Sequence, residues 1–156
     1  TASTGTANIA AARALVISGS TGENTFRDCV FGVDTISRGA ANYTLEISGG
    51  SPRNYFQRCH FEAMAGTATA AHLLIGAAGI DRYVVFDGCI FDNAVKSTAT
   101  TMNQVANLNA AIGGLIIAKD TVWLGATHWE TSTTNQTFFN APTYETSDPA
   151  LLVNNA

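Results

Sequence analysis

The sequence predicts an all-β solenoid of about four coils, on three observations. The phrase Phe26-x-x-Cys29-x-Phe31 recurs as Phe56-x-x-Cys59-x-Phe61 and Phe86-x-x-Cys89-x-Phe91, each letter advancing by 30 residues (56−26 and 86−56). A period of that length marks one structural unit that buries its apolar face only by stacking on its neighbours. Ahead of each phrase stands an alternating apolar pair, Leu15 and Ile17, Leu45 and Ile47, Leu73 and Ile75, the period of two of a strand with one face inward. Composition agrees: 46% of the 156 residues are apolar and only 13% charged, with abundant Gly, Ala, Thr and Asn. That suits short strands and tight turns better than amphipathic helices.

Each coil divides into three short strands. The first carries the Leu-x-Ile pair, to which Leu115 and Ile117 add a fourth member. A turn rich in Gly, Pro and charge follows, over Gly19 to Glu23, Gly49 to Arg53, Gly76 to Arg82 and Lys119 to Asp120. The second strand ends at the first Phe of the phrase. Phe and Cys are three apart, which breaks the period of two, so a sharp bend is expected between them at Arg27-Asp28, Gln57-Arg58 and Asp87-Gly88. Asp and Gly suit the left-handed backbone of such a bend. A degraded fourth phrase reads Leu124-x-x-Thr127-x-Trp129, with Gly125-Ala126 at its bend. The third strand is Cys-x-Phe. A long third turn then runs over Gly32 to Thr44, Glu62 to His72 and Asp92 to Gly114. In the last of these, Met102, Val105, Leu108 and Ile112 recur at helix-like spacing, and a short helix is expected over 101–111. Residues 1–130 are read as coils, and 131–156 as a partial coil, cap or partner-contacting tail. The chain begins at Thr1, and its abrupt first coil suggests part of a longer protein.

A three-strand coil with a bend between its second and third strands resembles the right-handed parallel β-helix of pectin-lyase-like proteins, over roughly Ala14 to Glu130. The resemblance implies fold more than function. That family often stacks Asn at the bend, whereas here the bend holds Asp28, Arg58, Gly88 and Ala126, so no polar ladder is expected there.

The three cysteines occupy one position of the repeat. Stacked strands would hold them ~4.8 Å apart, beyond the ~3.8 Å between Cβ atoms that a disulfide prefers, so they read as reduced core thiols. A net charge of −4 with 8 Lys and Arg in total argues against nucleic acid as a partner, because phosphates need a basic face. No apolar stretch is long enough to span a membrane.

Aligning the coils sorts outward residues into columns. Gly32, Glu62, Asp92 and Glu130 form one; Glu62, Asp92 and Glu130, ~5 Å apart if stacked, could serve glycoside hydrolysis or hold calcium, or simply form a solvated row. Val30, His60, Ile90 and His128 form a second, whose apolar members favour packing at an interface. Polysaccharide lyases of this architecture pair acids with an Arg or Lys base, and no arginine here aligns with those acids. No catalytic residue, cofactor or metal is therefore assigned. Val16, Glu46, Leu74 and Ile116 form a third column, mostly apolar, continued by Tyr55 and Val85. Val16, Leu74, Ile116, Tyr55 and Val85 are the expected interface.

The repeated coil also resembles β-helix proteins of tailed bacteriophages, which serve as head decoration, fibres or tailspikes. That resemblance implies a non-enzymatic virion structural protein that assembles with itself, by analogy as a trimer, and with other virion proteins. A carbohydrate-active or glycan-binding domain, a tailspike or lyase fragment, is the alternative.

Overall fold

The computed structural model describes residues 11–39, 41–93, 100–109, 111–131 and 137–139. Among the described residues the chain is all-β, and its strands pair only in parallel. The first trio is β1 (Arg13–Ile17), β2 (Glu23–Arg27) and β3 (Val30–Arg38), followed by β4 (Tyr43–Ile47), β5 (Ser51–Gln57) and β6 (His60–Ala65). The next are β7 (Leu73–Ile75), β8 (Ile80–Asp87) and β9 (Ile90–Asp92), then β10 (Met102–Leu108), β11 (Gly113–Lys119) and β12 (Val122–Leu124). Finally, β13 (Ala126–Glu130) and β14 (Thr137–Phe139) start another round. Corresponding strands stack into sheet A (β1-β4-β7-β10-β13), sheet B (β2-β5-β8-β11-β14) and sheet C (β3-β6-β9-β12). The result is a parallel β-solenoid of about three turns from the first trio to the last.

The repeated phrase forms the corner between sheets B and C. Asp28, Arg58, Gly88 and Asp120 all sit at the bend with φ of 52°, 51°, 62° and 46°, the left-handed backbone that reverses side-chain parity within two residues. Both aromatics therefore point inward. Phe26, Phe56 and Phe86 stack at 4.8 and 5.2 Å between centroids, and Phe31, Phe61 and Phe91 at 5.2 and 4.5 Å. The two columns meet edge to face within each coil, at 5.6, 5.6 and 5.3 Å, the geometry that suits ring quadrupoles.

The cysteines are free thiols in this core. Each of the upper two reaches back to the preceding coil: the Cys59 and Cys89 sulfurs lie 3.6 and 3.4 Å from the carbonyls of Phe26 and Phe56. Burial raises both thiols above their ordinary range, Cys89 to about 11, so both stay protonated and able to donate.

The fourth coil departs from the sequence reading. The true fourth phrase is Ala118-x-x-Thr121-x-Trp123, because Phe86 pairs with Ala118, Ile90 with Val122 and Phe91 with Trp123. Its bend is Lys119-Asp120, not Gly125-Ala126. Thr121 stands in the cysteine column and donates to the Phe86 carbonyl at 3.0 Å, as the thiols do one and two coils below. Ala118 leaves room above Phe86, and Trp129 from the next round fills it, 6.2 Å from Phe86 and 5.3 Å from Phe91. Leu115 and Ile117 accordingly lie on β11 in sheet B, opposite Tyr83 and Val85. The first strand of this coil is β10, and the segment expected to be helical is that strand. Its helix-like spacing arises because Val105 and Ala106 are both buried, as are Thr44 with Leu45 and His72 with Leu73 in register below. Both neighbours belong to one core, with the His72 ring 5.7 Å from Phe91, so alternation fails because the strands of sheet A bend there and turn two consecutive side chains inward.

Two further expectations change. The long turn after Phe31 is largely strand, since β3 continues to Arg38 around an irregularity between Gly32 and Ser37. A short Asn ladder does exist, in sheet B and not at the bend: Asn24 donates to Asn54 at 2.8 Å. The bend carries a bidentate Arg58–Asp28 pair instead, at 2.7 and 2.8 Å. Of the segment read as a cap, Thr137–Phe139 joins sheet B; the rest of 132–156, like residues 1–10, lies outside the described residues.

Candidate functional site

Sheet C presents two outward rows. Pairing places Val30, His60, Ile90 and Val122 in one, and Gly32, Glu62, Asp92 and Leu124 in the other. His128 and Glu130, expected in these rows, lie instead on β13 in sheet A, opposite Gln104 and Ala106. Glu130 is nearly buried. Its carboxylate accepts from the Thr137 hydroxyl at 3.2 Å, which in turn accepts from the Trp129 indole at 2.9 Å. That relay pins β13 to β14, so Glu130 serves packing and leaves Glu62 and Asp92 as a pair.

His60 stands between the two. Its Nδ1 lies 3.6 Å from Glu62 Oε1 and its Nε2 3.5 Å from Asp92 Oδ2, ion-pair distances that exceed those of good hydrogen bonds. All three side chains are about one-third exposed. Two carboxylates and an imidazole can exchange a proton with a ligand lying across them. Among the described residues no group of three or more His, Cys, Asp or Glu is arranged to hold a metal ion, so the calcium alternative at Glu62, Asp92 and Glu130 has no assembled site.

The surroundings of this cluster are apolar. Val30 is 63% exposed, Val122 51%, Leu124 47% and Ile90 39%; among the described residues the other large apolar side chains of comparable exposure are Val16 and Leu115. Four of six thus fall on one sheet face, a concentration that marks a contact surface better than scattered single residues would. The expected interface residues divide differently. Val16 and Leu74 share a row of sheet A with Glu46, Tyr55 and Val85 share a row of sheet B, and Ile116 is fully buried in the core. The misplacement of Ile116 follows from the one-strand shift of the fourth coil.

A buried polar cluster escaped the sequence reading. Behind sheet C, Arg38 Nη1 donates to Thr44 Oγ1 at 2.8 Å and Nη2 to the Glu62 carbonyl at 3.2 Å. Thr44 Oγ1 also lies 3.4 Å from His72 Nδ1. Burial lowers the Arg38 guanidinium below its ordinary range. Burial, and then the neighbouring charges of Arg38 and His60, push His72 down to about 3, so it is neutral at physiological pH. The signal was a lone His between Ala70-Ala71 and Leu73-Leu74.

Comparison with protein-family models, with curated proteins and with solved structures yields no match to this chain. Fold and site together define a class: a parallel β-solenoid with a core of aromatic and thiol ladders and a partly exposed Glu62–His60–Asp92 cluster in an apolar setting on sheet C.

Proposed function

We propose that this chain is a non-enzymatic structural protein that works by self-assembly through the outer faces of its solenoid. The observation that carries the reading is the exposure of Val30, Ile90, Val122 and Leu124 on sheet C, a patch whose burial would be favourable by about 25 cal/mol per Å² of apolar surface. The separation of Glu130 from Glu62 and Asp92 supports it by dissolving the three-carboxylate site. The resemblance of the Phe-x-x-Cys-x-Phe coil to tailed-phage β-helices supports a virion setting, as a capsid decoration or fibre component, with other virion proteins as further partners. Sedimentation over a range of concentrations tests self-assembly, with an oligomer expected. A chain that stays monomeric at high concentration and does not bind phage particles would refute the reading.

One observation favours a second reading, glycan binding or cleavage: His60 bridges Glu62 and Asp92 in a partly exposed cluster. A Glu62→Gln/Asp92→Asn double variant separates the two. Loss of glycan binding with assembly intact would support the carbohydrate role, and unchanged binding would remove it.

A further inference from the structure

We infer that copies of this chain associate by unlike faces, the sheet C face of one seated on the sheet B face of the next. The inference rests on the self-assembly reading and adds which surfaces meet. Sheet C offers the apolar patch together with the carboxylates of Asp34, Glu62 and Asp92. Among its described outward positions there is no Lys or Arg, since Arg38 turns into the wall toward Thr44 and the Glu62 carbonyl. Sheet B offers a second apolar area in its later coils, where Tyr83 and Leu115, then Tyr55, Val85 and Ile117, stand in adjacent outward rows and Leu115 is 41% exposed.

The charges of the two faces are complementary. At the surface of sheet B are the cations Arg27, Arg53, Arg82 and Lys119 against the carboxylates Glu23, Asp81 and Asp87. Arg53 pairs with Glu23, Arg82 with Asp81, and Lys119 with both Asp87 and the corner residue Asp120; exposed Arg27 is within ion-pair distance of no carboxylate among the described residues. Sheet C is therefore an apolar surface with excess negative charge, and sheet B an apolar surface of mostly paired charges whose strands carry one cation in excess, Arg27. Two C faces related by a two-fold axis would bring two sets of the carboxylates Asp34, Glu62 and Asp92 into one apolar contact, where like charges are costly. Seating C on B brings acids to bases and covers both apolar areas in one contact.

Such a contact is heterologous, so it closes into a ring or runs on as a filament. Sheets B and C flank the same two-residue corner, which favours a ring with that corner toward the axis. Sheet A, whose outward side carries Glu46, Asn107 and His128, faces away.

Two exposed positions test this by sedimentation of the full chain, with circular dichroism as the control for folding. Val122→Asp spoils face C and Leu115→Asp spoils face B. Each variant alone is expected to self-associate roughly tenfold or more weakly than wild type, as loss of an interface anchor does. An equimolar mixture is expected to form 1:1 heterodimers, because it retains one intact C face and one intact B face. Leu124→Asp replaces Val122→Asp if the latter does not fold. Wild-type assembly by Leu115→Asp, or a mixture that stays monomeric, overturns the pairing of unlike faces while leaving self-assembly standing. A monomeric wild type removes the self-assembly reading as well.

Discussion

Between sheets B and C every coil turns on two residues, 28–29, 58–59, 88–89 and 120–121, whereas between sheets C and A the connection ranges from Gly125 alone to residues 93–101. The first corner repeats one solution: a left-handed residue, then a small donor that from the second coil onward caps the preceding coil's carbonyl. The second repeats nothing, and each coil closes it with different polar groups. Arg38, Thr44 and His72 serve the lower coils. Asn93 serves the upper ones, accepting from Ala65 N at 2.8 Å and donating to the Thr100 and Gly125 carbonyls at 2.9 Å each. Identical corners stack identical side chains, so their energy lies in ladders. The variable corner needs its backbone groups satisfied one at a time.

The largest expected effect breaks the ladder side. Phe61 is fully buried between Phe31 and Phe91 and touches Phe56 and Phe86 edge-on. Phe61→Ala opens a cavity at the centre of both columns, and chemical denaturation should show a loss of about 3–5 kcal/mol.

The variable corner should fail next, and by acid. His72 is fully buried and its folded value of about 3 lies below the ordinary 6.5. Between those values the unfolded chain binds a proton that the native chain does not, so stability falls as pH is lowered from about 6.5, levelling off below about 3. The slope from this one group is ~1.4 kcal/mol per pH unit. Arg38 and His60 oppose its protonation further. In His72→Gln that part of the pH dependence should disappear, whatever the stability at neutral pH. An unchanged acid limb would show that His72 does not control it.

Asn93→Ala should cost about 2 kcal/mol, because it strands one buried N–H and withdraws a donor from two carbonyls. Asn93→Asp keeps the acceptor for Ala65 N but sets a buried carboxylate oxygen against the Thr100 and Gly125 carbonyls, and should lose at least as much as Asn93→Ala in thermal denaturation at neutral pH.

The contrast between corners also explains what was legible in the sequence. Phe, Cys and Phe repeat because each coil packs the same shapes at the same place, so the solenoid, the bend and the free thiols could be read directly. The fourth coil hid its phrase because Ala118 and Trp129 share one volume across two strands, which no single-coil motif records. That shift carried Ile116, His128 and Glu130 into the wrong columns. Glu62 and Asp92 were found because they follow intact phrases. The apolar patch was half visible, since Val30, His60 and Ile90 aligned, while Val122 and Leu124 required the true register of the fourth coil.

Two glycines sharpen the comparison with the smallest changes. Gly88 at the constant corner has φ of 62°, and a Cβ there would meet nothing closer than the Arg58 side chain at 3.7 Å. Its neighbours in the column, Asp28 and Arg58, already hold the same backbone with full side chains. Gly88→Ala should therefore cost only the left-handed penalty, about 1 kcal/mol. Gly125 at the variable corner has φ of 71°, but a Cβ there would run into the Asn93 backbone carbonyl. Backbone cannot rotate away as a side chain can, and moving it would disturb the Asn93 hydrogen bonds to Gly125, Thr100 and Ala65. Gly125→Ala should thus cost at least twice as much as Gly88→Ala in parallel denaturation curves. Equal losses would mean that the single-residue corner is as tolerant as the two-residue one, and that its tightness is not what fixes Asn93.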